Sequence, residues 1–153
     1  MDTFMTVLHV VAGVFVIGPL AILPMSSLRL IRGGETERVR ASAKPIRLLS
    51  YLSLIVAVTG FGAVGLADPK YDLSVTTPWV LWSIVLYVVA LVVTLFVVVP
   101  ALEHVGAPVN AGHAAATRTA EGTKDPAYGK VAAGSGIASL ALIVVVVLMV
   151  WKP

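Results

Sequence analysis

The sequence predicts an all-α fold, a polytopic integral membrane four-helix bundle with N-terminus and C-terminus both outside. Three observations carry this reading. First, residues 3–28, 48–67, 76–102 and 131–151 form four apolar stretches without a single Asp, Glu, Lys or Arg. Each reaches or exceeds the ~20 residues that a helix needs to cross the hydrocarbon core. Second, hydrophobic residues make up 58% of the 153-residue chain and charged residues only 12%, against roughly 25% charged in a soluble domain. A soluble fold of this size would expose large sticky patches. Third, the basic residues are segregated. Arg29, Arg32, Arg38, Arg40, Lys44 and Arg47 follow the first stretch, and Arg118, Lys124 and Lys130 follow the third. Of the eleven basic residues, only Lys70 and Lys152 fall on the other side. Cytoplasmic connections carry the excess of Lys and Arg, so 29–47 and 103–130 are read as cytoplasmic loops. An even number of crossings then returns both ends to the outside.

The spans are helical because a backbone in lipid must satisfy its own amides, and none alternates with the period of two that barrel strands need. The first span carries His9 and two prolines, Pro19 and Pro24, that bend its path. No basic residue precedes it, it is longer than a signal-peptide core, and no small-residue cleavage site follows it before Arg29. It is therefore read as a retained crossing. In the first loop Gly33-Gly34 is a break, 35–42 suits a short surface helix, and Pro45 fits the first turn of the second span. The basic residues orient the protein and touch anionic headgroups, at about 1 kcal/mol each near the surface.

The second span gathers Gly60, Gly62, Ala63 and Gly65 near its outer end, where small residues let backbones approach. Asp68-Pro69 opens the short outer connection, and Pro78 stands early in the third span. The loop 103–130 is irregular around Pro108, Gly112 and Gly122, with an Ala-rich turn at 114–120. In the fourth span, Ala132/Gly136 and Gly134/Ala138 are small pairs four residues apart, while 143–150 is bulky. Packing is the first reading of all these small residues. Phe4, Tyr71, Trp79, Trp82 and Trp151 fall at outer ends, and Tyr51 and Tyr128 at inner ends, as aromatic anchors do.

His9 is the sharpest candidate for chemistry, because an ionisable side chain inside a membrane is a functional hypothesis by default. Haem ligation, metal ligation and proton transfer stand against an interhelical hydrogen bond to Ser74, Thr76 or Thr77. A bis-histidine haem b site needs two ligands at matched depth. His104 and His113 sit in the opposite loop, so Met5, an open position or a second chain would have to supply the other side. Glu103, His104 and His113 could approach a metal, but their spacing matches no strong motif and a solvated loop is the plainer reading. With no cysteine, disulfides, thiolate metal sites and cysteine nucleophiles are excluded. No charged residue stands at a span midplane, as proton-coupled carriers need. There is no phosphate loop, nucleophile elbow or HExxH pair. A net charge of +3 gives no reason to expect nucleic acid.

The opening LHVVAGVFVIGPLAILP, followed by SLRLIRGGE, resembles an uncharacterised bacterial family of four-helix integral membrane proteins, with Leu8-His9, Gly13, Gly18 and Pro19 the distinctive part. The resemblance implies an actinobacterial plasma-membrane protein and no activity. More distantly, the early Leu-His followed by glycines is similar to the first helix of copper-resistance D-type membrane proteins and of haem-binding oxidases of porphyrin synthesis. The expected function is a non-catalytic accessory or structural subunit of a larger membrane complex, a respiratory-chain assembly being one host, or a homo-oligomer. The alternative is a haem- or metal-binding redox or sensor protein using His9.

Overall fold

The computed structural model describes residues 2–65, 77–106 and 126–151. Their order is α1 (Asp2–Arg32), α2 (Thr36–Gly65), α3 (Pro78–Val93), a π-helical turn (Thr94–Val98), α4 (Val99–Glu103) and α5 (Pro126–Trp151). The π turn joins α3 and α4 into one span, Pro78–Glu103, so four helices are long and apolar enough to cross a membrane. No strand occurs among the described residues.

The first departure from the sequence reading lies in 29–47. Only 33–35 separate α1 from α2, and the basic residues ride on helix rather than loop. The stop is a Schellman turn. The Glu35 N–H donates to the Leu30 carbonyl at 3.1 Å and the Gly34 N–H to the Ile31 carbonyl at 3.1 Å. Gly34 has φ 71°, a left-handed conformation that glycine adopts without steric cost. Beyond it α2 runs unbroken through Pro45. The proline deprives the Ala41 carbonyl of its donor, but Ala41 is exposed at a helix end that the charges hold near water. The Ala-rich turn expected at 114–120 falls outside the described residues.

The third span has its own irregularity, and Pro100 accounts for it. Proline cannot donate to the carbonyl four residues back and its ring crowds that carbonyl. The turn before it opens, with the Val99 N–H donating to the Thr94 carbonyl in π register.

Packing follows from which faces are small. α1 packs most extensively on α2 and then on α5, α5 also packs on α3 and its tail, and α4 reaches back to α2. The tight core lies toward the basic end, among Leu20, Val39, Ala43, Ile46, Val98, Val99, Leu102 and Val131. Trp79, placed at the interface by the sequence reading, is only 7% exposed and belongs to the interior, whereas Trp82 and Trp151 face outward.

Polar side chains stitch the bundle. Ser139 on α5 donates to the Ala21 carbonyl of α1 at 2.6 Å, just before Pro24, which leaves the neighbouring Leu20 carbonyl without its helical donor. Ser27 and Ser42 share a hydrogen bond at 3.0 Å across α1 and α2, and Ser53 and Tyr87 share one at 2.9 Å across α2 and α3. At the basic end Arg47 pairs with Glu103 at 2.5 Å, Arg40 donates to the Val105 carbonyl at 3.0 Å, and Arg32 donates to the Tyr128 hydroxyl. Gly106, at φ 70°, is pressed so close to α2 that a Cβ there would meet Thr36 Cγ2 at 2.8 Å.

These contacts give a graded expectation. Ser139→Ala removes an interhelical hydrogen bond of a kind worth about 0.6 kcal/mol on average and up to about 1.7 in membrane proteins. Its thermal unfolding midpoint in detergent falls. Ser26→Ala, which loses only a bond to Leu23 of its own helix, leaves the midpoint in place.

Candidate functional site

The polar ring of the first span meets α2, not the start of α3. His9 is half-buried, and its Nδ1 lies 2.9 Å from the Val56 carbonyl oxygen and 3.3 Å from Thr59 Oγ1. A carbonyl only accepts, so Nδ1 carries the proton and donates. The Thr59 hydroxyl spends its own hydrogen on the same carbonyl at 2.8 Å and so meets Nδ1 with a lone pair. Nδ1 is thereby the nitrogen that docks the ring on α2. Ser74 and Thr76, two of the three partners expected from sequence, lie outside the described residues.

Gly60 makes the contact sterically possible. A Cβ at this position would stand 2.8 Å from His9 Cε1 and 3.2 Å from Nδ1, so the imidazole rests directly against the α2 backbone. One turn toward the helix start, Met5 puts its sulfur 3.9 Å from where a Gly62 Cβ would be. The α1 face that carries Met5 and His9 therefore rests on the glycine-rich face of α2. Among the described residues, Gly65 meets nothing within 4 Å.

The small residues of α5 divide between two faces. A Cβ on Gly134 would strike Val98 Cγ2 at 2.8 Å and approach Val97 and Val93, so this glycine seats α5 against the π turn. Ala138 is buried beside it. Gly136 has nothing within 4 Å and borders a shallow apolar groove between α3 and α5, and Ala132 is half-exposed.

The described basic residues occupy one end of the bundle. Arg38 pairs with Glu35 at 2.6 Å and Arg40 with Glu37 at 3.6 Å, while Arg32 also places its guanidinium 5.1 Å above the Tyr128 ring. Exposed pairs of this kind contribute about 0.2–1 kcal/mol each. Arg29 and Lys44 are exposed.

A metal or haem has little to hold it among the described residues. No three His, Asp or Glu side chains converge. Glu103 is turned to Arg47, and His104 donates from Nδ1 to the Pro100 carbonyl at 2.8 Å. His113 lies outside the described residues. Met5 is seated against α2 rather than across an open face from His9, which does not suit it to a sixth position on a haem iron. Among the described residues, the hydrogen bonds of His9 and of His104 are made through Nδ1.

Sequence reasoning did not find Val56, Thr59 or Ala21, because backbone carbonyls and side-chain rotamers leave no mark on composition. The cluster of glycines on α2 was the one available signal that something bulky packs there.

Four apolar helices with their hydroxyls turned onto carbonyls and their cations gathered at one end define an integral membrane protein. The chain matches the family described as predicted integral membrane protein (DUF2269) over residues 3–153, and it belongs to that family. No curated protein and no solved structure matches it.

The His9–Gly60 contact predicts opposite outcomes at two glycines. Alanine ordinarily stabilises a helix by up to about 1 kcal/mol over glycine. Gly60→Ala instead lowers the unfolding midpoint, because the new methyl group displaces the imidazole from the Val56 carbonyl. Gly65→Ala, in open space, holds or raises it.

Proposed function

We propose that this protein works by packing, as a non-catalytic accessory or structural subunit of a larger assembly in the bacterial plasma membrane, or as a homo-oligomer. A respiratory-chain complex is the host class in view. The observation that carries the reading is the uneven covering of the spans. Only 6% of the most apolar window of α1 is buried within the chain's own bundle, against 33% for α5. α1 leans on its neighbours with the Met5–His9 face and turns Val11, Phe15 and Ile22 outward, Phe15 being 74% exposed. Gly18, with open space beside it, breaks this outward row at the Pro19 bend. Such a surface admits a neighbouring transmembrane helix at close range. In this reading the basic end faces the cytoplasm and both termini lie outside, as the charge bias requires.

The absence of native cysteine makes the test clean. Single cysteines at Val11, Phe15 and Ile22 are cross-linked in native membranes. The reading expects adducts at these positions, either with a second copy or with one recurring membrane protein. A monomer at all three, together with a lone monomer on mild detergent extraction, overturns it.

A second reading is favoured by the hydrogen bond that His9 makes through Nδ1. With Nδ1–H donated to a carbonyl, Nε2 is oriented as a ligating imidazole would be, which supports a haem- or metal-binding redox or sensor role. Haem b, if held, would take its second ligand from outside the described residues or from another chain. The purified protein then shows a Soret band that His9→Ala abolishes, or a bound metal that the same change removes. A protein free of both ends this reading.

A further inference from the structure

The shallow groove between α3 and α5, about 320 Å³ and bordered by Leu86, Val89, Gly136, Ile137, Leu140 and Val144, is apolar along its length. It sits on the outward side of α5, where Ile137 is 55% and Leu140 66% exposed. Glycine at 136 leaves its floor open, since a Cβ there would touch nothing within 4 Å. The same helix face continues toward the basic end to a cation. Ile137 and Val144 follow Lys130 by seven and fourteen residues, which keeps all three on one side of the helix. At 1.5 Å per residue they stand about 10 and 21 Å along the axis from the lysine.

Lys130 is exposed. The described carboxylates of that end are engaged elsewhere, Glu35 with Arg38, Glu37 with Arg40 and Glu103 with Arg47. A lysine so placed runs its stem along apolar surface and holds its ammonium at headgroup level. We infer that this face of α5 is a binding site for one anionic phospholipid, with its phosphate on Lys130 and an acyl chain laid in the groove past Gly136 to Val144. Charge at one end of this helix face and an apolar groove farther along it fit a lipid. A free phosphate would have no use for the groove, and an apolar partner helix would have no use for the lysine. The inference is independent of the packing role given to α1.

The test uses the full chain in phosphatidylcholine membranes doped with chain spin-labelled phosphatidylglycerol or phosphatidylcholine, reading the motionally restricted fraction of each. The wild-type protein is expected to prefer phosphatidylglycerol, and Lys130→Ala to lower that preference about fivefold, the value of one basic residue at a membrane surface. Lys130→Arg keeps it. Gly136→Leu, which has space for its side chain, reduces the restricted fraction of both lipids by filling the groove. Lys44→Ala leaves the preference in place. An unchanged preference in Lys130→Ala, or an equal loss in Lys44→Ala, overturns the site in favour of diffuse charge attraction. Disulfide-linked dimers through Ala133→Cys that Gly136→Leu abolishes also overturn it, by giving the groove to a second copy. Unfolding midpoints run alongside confirm that each variant remains folded.

Discussion

Hydrocarbon offers no hydrogen bonds, so any polar atom carried into it needs a partner from the protein, and most of this bundle's particular features follow from that shortage. Among the described residues, no buried side-chain nitrogen or oxygen is left without a partner. Ser50, Ser83 and Thr94 return their hydroxyl hydrogens to carbonyls of their own helices. Ser139, Tyr87 and His9 do more, since each reaches a second helix. The helix contacts are therefore specified by a few directional bonds as well as by shape. Pro24 is eased in the same terms, because Ser139 bonds the Ala21 carbonyl next to the Leu20 carbonyl that the proline leaves without its helical donor.

How much of this could be read from sequence depends on whether a feature is written in residue type or in relative position. The four crossings could be read because lipid excludes charge, and charge is visible in the chain. The length of α2 could not. Residues 36–47 are polar and basic, which says they leave the hydrocarbon but not that they leave the helix, and arginine, alanine and lysine are good helix formers. Trp79 illustrates the same limit, since depth along a helix was legible but the side it faces was not. Gly134 and Gly136 looked equivalent in a small-residue pattern. Only the placement of α3 separates the glycine that seats Val98 from the one that opens on a groove.

The candidate site was half legible. His9 stood out as the only histidine in a span, and the α2 glycines as a place for close approach. Their meeting depended on the relative slide of two antiparallel helices, which is set by the tight turn at 33–35. That turn fixes the slide from the basic end, so the His9 contact, near the other end of α1, is placed by geometry stored far from it. The contact serves the architecture through Nδ1.

The wide turn at Thr94–Val98 has a consequence for the way this span can vary. An α-helix advances 100° per residue, and the turn absorbs one residue more than a regular helix would. It thus acts as a phase correction that brings Val98 and Leu102 onto the side already used by Ser83 and Ala90, all of them buried. Shortening the segment by one residue would straighten the helix yet keep this alignment. Replacing Pro100 while keeping the length would invite the regular winding and rotate the tail out of step with Gly134. In this span the number of residues and the proline are therefore tied together, and a change in one calls for a change in the other.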